Sequence, residues 1–169
     1  KKRPNVYYIQ PDGYLNFSEM SKGYYKNDNS VFKHFLEDNG FKNYDDIRSN
    51  YTSTLVSNSA TFSMMHHYYN NGFNFIEIAN AREIIISKNA VLDIFKNNNY
   101  KTHYIAEISY LLNNFPEMGY DACNLDYQDI SFITNGSKRE EDISIPVAKY
   151  LKEDPERSKF FFIHIYKPG

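Results

Sequence analysis

An α/β layer fold with a mostly parallel sheet is the architecture this sequence predicts, and three observations lead to it. Short β-rich apolar runs recur at residues 5–10, 100–106 and 160–165. Between them stand stretches whose apolar residues fall at helical spacing. The runs give way to turn chemistry, as at Pro11-Asp12-Gly13 and at Lys167-Pro168-Gly169. Strands that alternate with helices imply parallel strands joined by helical crossovers. In such sheets ligands gather beyond the carboxyl ends of the strands.

Bulk properties bound the rest. The 169 residues, 41% of them hydrophobic, suffice for one domain with a single core, so residues 1–169 are taken as one unit. A net charge of −2 supplies no basic surface that would track phosphates, so no nucleic-acid partner is expected. Cys123 is the only cysteine, which excludes an intrachain disulfide and a cysteine-based metal centre. No apolar run approaches the roughly 18 residues needed to cross a bilayer.

Taken in order, residues 5–10 read as a buried strand that breaks at Pro11-Asp12-Gly13. Ser30 can cap a helix through Val31, Phe32, Phe35 and Leu36, which Asn39-Gly40 stops. Residues 41–48 suit a second extended segment. After the polar stretch 49–54, Leu55, Phe62 and Met65 share a helical face, and Asn70-Asn71-Gly72 closes that helix. Ile84-Ile85-Ile86 fits strand or helix equally. Residues 89–97 read as a helix with Val91, Leu92 and Phe95 inward, and residues 100–106 as a strand. Residues 107–136 are irregular. Residues 143–151 fit a helix that tolerates Pro146 only in its first turn. Residues 160–165 are the most apolar segment and form a buried central strand.

Few residues carry chemistry. Asp12 directly follows the first strand, where a carboxylate is a good hard ligand for a divalent cation. The same Pro-Asp-Gly turn is common, with Asp bonding its own backbone, and both readings stand. Residues 49–63 hold eight Ser or Thr and then continue into an apolar helix. A hydroxyl at a helix N-terminus gains from the free amides and the helix dipole, and a nearby cation lowers its pKa further. A plain N-cap with spare hydroxyls explains the same composition. His66 and His67 are adjacent and diverge by about 100° on a helix, so they do not converge on one metal. His34 suits an exposed helix position. His103 and His164 lie inside strands, where a hydrogen-bonded core role is the better reading and a place at the site the lesser one. No glycine-rich phosphate loop is present.

These pieces together resemble a family pattern. Arg3-Pro4-Asn5-Val6-Tyr7-Tyr8-Ile9-Gln10-Pro11-Asp12-Gly13-Tyr14 is similar to the opening of sulfatase-like proteins of the alkaline phosphatase superfamily, where this strand delivers the first metal ligand. Phe35-Leu36-Glu37-Asp38-Asn39-Gly40-Phe41 matches the family's helix ending in Gly-Phe. Residues 49–57 resemble the nucleophile segment of phosphoethanolamine and phosphoglycerol transferases, with Thr54 as nucleophile and Ser57 as the Ser three positions on. The transferases usually carry Glu rather than Asp at the first ligand and cysteines around the nucleophile, where Asn50 and Thr61 stand here. The Cys-X-Pro-X-Arg motif of formylglycine sulfatases is absent, which disfavours a standard sulfatase. No Asp-His pair, the usual completion of the metal site, occurs.

The resemblance implies a three-layer α/β/α fold, alkaline-phosphatase-like and incomplete at the C-terminus, of which this chain would be the N-terminal half. It implies Asp12 and Thr54 as metal ligands, Thr54 also as the catalytic nucleophile, and a divalent cation that the residues leave open among Zn, Mn and Ca. The expected function is metal-dependent head-group transfer, or phosphodiester or sulfate-ester hydrolysis, on an extracytoplasmic lipid or surface polysaccharide. Membrane association would come through segments preceding Lys1, and the fragment alone would bind metal weakly and turn over little. The alternative is a non-catalytic, degenerate domain binding surface glycan or a partner chain. An unrelated flavodoxin-like domain would put neither Asp12 nor Thr54 in a shared cleft, whereas a common ion needs their oxygens within about 4–5 Å.

Overall fold

The computed structural model describes residues 2–45, 47–49, 51–66, 80–130 and 142–166. Four strands, β1 (Val6–Pro11), β2 (Lys101–Ala106), β3 (Ala122–Cys123) and β4 (Lys159–Ile165), form an all-parallel sheet in the order β1-β4-β2-β3. The most apolar segment is therefore central, as its sequence requires. A strand buried on both faces cannot alternate with polar residues, and Phe160, Phe161, Phe162 and Ile163 are all buried.

Among the described residues the α-helices are α1 (Phe17–Lys22), α2 (Ser30–Asp38), α3 (Thr54–Ser63), α4 (Ala81–Ile86), α5 (Ala90–Asn97) and α6 (Ser144–Lys152). Helices α3 to α6 cover the two faces of the sheet. On one face, Leu55 and Phe62 of α3, Ile85 and Ile86 of α4 and Leu92 of α5 pack with Tyr104, Phe160 and Phe162. On the other, Tyr150, Val147 and Leu151 of α6 pack with Ile105, Phe161 and Ile163. His103 lies in this second layer, stacked on Phe161 and tilted against Tyr150, with ring centroids 4.7 and 4.9 Å away.

Local chemistry explains most boundaries. Asn89 caps α5 by accepting from Leu92 N, and Gly40 at φ +83° ends the turn after α2. Pro146 sits in the first turn of α6, where its missing N–H is harmless. The triple isoleucine resolves as helix, with Ile85 and Ile86 fully buried.

Three expectations are corrected. Strand β1, expected to be buried, lies at the sheet edge and leaves Tyr7 and Ile9 exposed on one face. No strand forms in the described part of residues 41–48; this segment is held by side chains instead, with Asp45 accepting from Asn43 and Lys33. The helix over residues 54–65 ends earlier, because Met64 adopts the left-handed conformation, and Met65 falls outside it and exposed. The Asn70-Asn71-Gly72 stop lies outside the described residues. Helix α1 is additional to the elements read from the sequence. Its signal is present: Asn16 Oδ1 accepts from Glu19 N at 2.8 Å, a short N-cap with an acid in the first turn.

Candidate functional site at the carboxyl ends of the strands

Strand β1 and helix α3 lie against each other in opposite directions, and their contacts fall at matched intervals. Tyr8 meets Phe62 edge-on, with ring centroids 6.0 Å apart. Two residues further along β1, Gln10 Oε1 accepts from Asn58 Nδ2 at 2.8 Å, four residues earlier on α3. Two and four again, Asp12 Oδ1 accepts from Thr54 Oγ1 at 2.8 Å. Two strand residues advance about 6.6 Å and four helical residues about 6 Å, so the two periods stay in step over this length. Residues of alternate strand positions share a face and residues four apart share a helix face, which puts all three pairs in one row. The first pair is apolar core, the second a part-buried polar anchor, the third a hydroxyl–carboxylate pair.

Thr54 is the first residue of α3, and the side chain of the N-cap Ser53 makes no capping hydrogen bond. The helix start therefore faces the Thr54–Asp12 pair with first-turn amides left over, a setting that favours an anion. Asp12 is held by its own backbone, since Asp12 N donates to Ile165 O at 2.7 Å. Gly13 takes φ +73°, so the chain can turn away directly after the carboxylate.

Parallel register brings a second element in. Gln10 is aligned with His164 and His164 with Ala106, so His164 stands near the carboxyl end of β4 between both neighbours. His164 is fully buried, and its Nε2 stands 3.9 Å from Asp12 Oδ2, the oxygen that Thr54 does not use. Neither ring nitrogen has a hydrogen-bond partner. Burial pushes the imidazole below its ordinary range, against the opposing pull of the Asp12 and Glu107 carboxylates. Glu107, nearly buried just past β2, donates its N–H to His164 O at 3.0 Å and accepts from Tyr166 N at 2.7 Å.

The residues singled out from sequence thus separate into groups. Asp12 and Thr54 come together, within the distance a shared ion requires. His164, read as core, is buried as expected but faces the site; the signal lies in the strand register, which sequence spacing does not supply. Glu107 went unremarked because it opens an irregular stretch. His103 remains in the aromatic core of the opposite layer. Ser57 lines an adjacent cleft of about 580 Å³ with Arg48, Tyr51 and His66. His34 is exposed. Among the described residues no group of three or more His, Cys, Asp and Glu is arranged to hold a metal ion, and no helix is long and apolar enough to cross a membrane.

Comparison with family models, curated proteins and solved structures finds no match to this chain.

Proposed function

We propose that this chain carries the nucleophile side of a metal-dependent transferase or hydrolase acting on phosphate or sulfate esters. Thr54 is the nucleophile, and Asp12 with Thr54 provides donors for a divalent cation. The observation that carries this reading is the Thr54–Asp12 hydrogen bond at the carboxyl ends of parallel strands and at the start of α3. Helices on both faces of the sheet agree with a three-layer, alkaline-phosphatase-like arrangement.

The donor chemistry fits a divalent cation. A carboxylate with one oxygen turned away from its hydroxyl partner stands beside a buried imidazole whose nitrogens lack partners. When bound, the cation lowers the pKa of the hydroxyl and neutralises charge on the substrate's non-bridging oxygens. Asp12 Oδ1 is placed to take the Thr54 proton as Oγ1 attacks. The Oγ–P bond forms as the bond from phosphorus to the leaving oxygen breaks, and that oxygen departs with a proton from solvent. An acceptor alcohol or water then attacks phosphorus and gives up its proton to solvent, the Oγ–P bond breaks, and Thr54 takes back the proton held by Asp12. The α3 start offers amides toward the transferred group, and the Ser57–Arg48 cleft gives the remainder of an anionic substrate a neighbouring cationic wall. We assign the substrate to an extracytoplasmic lipid or surface polysaccharide, on the resemblance described above.

The test is an assay of bis-(p-nitrophenyl) phosphate and p-nitrophenyl sulfate with Zn²⁺, Mn²⁺ or Ca²⁺, comparing full-length protein with Thr54→Ala. Metal-dependent phosphodiester cleavage abolished by the substitution supports the proposal. Sulfate-ester cleavage alone redirects it to an unorthodox sulfatase, and activity indifferent to Thr54 contradicts the site. Silence on both substrates leaves the non-catalytic binding domain as the better account.

A further inference from the structure

Resting on that reading, we infer that His164 is a donor to the same cation as Asp12 and Thr54, and that the site therefore takes a nitrogen-accepting ion such as Zn²⁺ in preference to Ca²⁺. Three observations lead to this. First, His164 is fully buried with both ring nitrogens unpartnered, a state that costs free energy unless a ligand satisfies it. Second, its Nε2 faces the Asp12 oxygen that Thr54 leaves open, at 3.9 Å. That separation is too long for a hydrogen bond. It suits two donors on one ion, because bonds of about 2.0–2.2 Å set neighbouring donors roughly 3–4 Å apart. Third, the backbone beneath both donors is fixed. The His164 carbonyl is bonded by Glu107 N, and the Asp12 backbone is tied to Ile165 of the same strand, so both donors ride on one rigid sheet end.

His103 provides the contrast. It is equally buried, one strand over, yet it faces Phe161 and Tyr150. Burial alone does not make a histidine a ligand; the facing carboxylate distinguishes His164. The set also explains a choice that sequence left open. Ca²⁺ and Mg²⁺ take oxygen ligands, whereas imidazole suits Zn²⁺ and related transition ions.

The experiment is a titration of the full-length protein with Zn²⁺ and separately with Ca²⁺, followed by calorimetry and by ¹⁵N resonances of the histidine rings. Wild type, His164→Gln, His103→Gln and Asp12→Asn are compared. The expected result is that Zn²⁺ shifts the Nε2 resonance of His164 and leaves His103 unmoved. His164→Gln should weaken Zn²⁺ by at least about tenfold and lower the preference for Zn²⁺ over Ca²⁺. The resonance is read on wild type, so it decides the matter even where a variant folds poorly. Zn²⁺ binding that depends on Asp12 while His164 stays unshifted overturns the inference and leaves the metal reading intact. Absence of Asp12-dependent binding to either ion removes both.

Discussion

Asn58 and Gln10 join α3 to β1 through a 2.8 Å side-chain hydrogen bond, one step along the same row that ends in Thr54 and Asp12. Asn58 is 1% exposed, so its amide has little access to water as a substitute partner. The pair thus fixes how far α3 slides along the strand, and with it where Thr54 stands relative to the carboxylate. The geometry of the Thr54–Asp12 pair is inherited from packing geometry.

Replacing Asn58 by Ala should therefore cost about 1–3 kcal/mol, since a buried amide is truncated and the half-buried Gln10 acceptor loses its donor. Urea unfolding measures the loss. Activity should fall further than stability alone explains, because Thr54 is no longer held in register. A variant of unchanged midpoint and unchanged activity would show that the row does not set the site.

Asp12→Asn keeps an oxygen that can accept from Thr54 but removes the charge. The expected outcome is loss of about a hundredfold or more in kcat/KM, with a thermal midpoint close to wild type at this partly exposed turn. Steady-state kinetics and a melting curve on the same preparation separate the two. Retained activity would exclude the carboxylate as proton acceptor and ligand.

His103 makes stability depend on pH. Burial first, and then the charge of Lys101, holds its pKa down to about 4 from an ordinary 6.5. The folded value is the lower one, so the unfolded chain binds the proton more readily between those limits. The stability is present above about pH 6.5 and is lost as pH falls toward about 4, to a total of roughly 3 kcal/mol. Urea midpoints at about pH 7.5 and about pH 4.5 should diverge more for wild type than for His103→Phe, by roughly 2–3 kcal/mol. Equal divergence in both proteins would contradict the assignment.

Gly119 allows a close approach rather than an unusual turn. A Cβ there would lie 1.5 Å from Ser87 O and 2.4 Å from Ser87 C, both backbone atoms at the end of α4. Gly119 N also donates to Ile86 O at 2.9 Å, so the two segments cannot part without losing that bond. Gly119→Ala should cost roughly 3 kcal/mol or more. Circular-dichroism melts check this, and a midpoint near wild type would mean the segments separate freely.

The fold was legible where period and punctuation agreed. The apolar run of β1 broken at Pro11-Asp12-Gly13, the Asn89 cap of α5 and the Phe160-Phe161-Phe162-Ile163 run of β4 each announce themselves in order along the chain. Strand β3, two residues long, has no period to read. Residues 41–48 form no strand in their described part because Phe41, Tyr44 and Ile47 stand among charged and polar residues and remain exposed, and the segment instead lies beside α1, with Ser18 Oγ donating to Asp45 O. Within the site, Asp12 and Thr54 follow from local sequence and from the resemblance. His164 and Glu107 do not, since their place depends on how β4 registers against β1 and β2, which is settled by long-range pairing.

The most direct test of the central claim is to look for the covalent intermediate. Full-length protein would be incubated with Zn²⁺ and bis-(p-nitrophenyl) phosphate, quenched in acid, and its peptides weighed by mass spectrometry. The account predicts a phosphoryl adduct on the peptide carrying Thr54, absent from Thr54→Val and strongly reduced in Asp12→Asn. Turnover that persists in Thr54→Val, or an adduct on another residue, would contradict it.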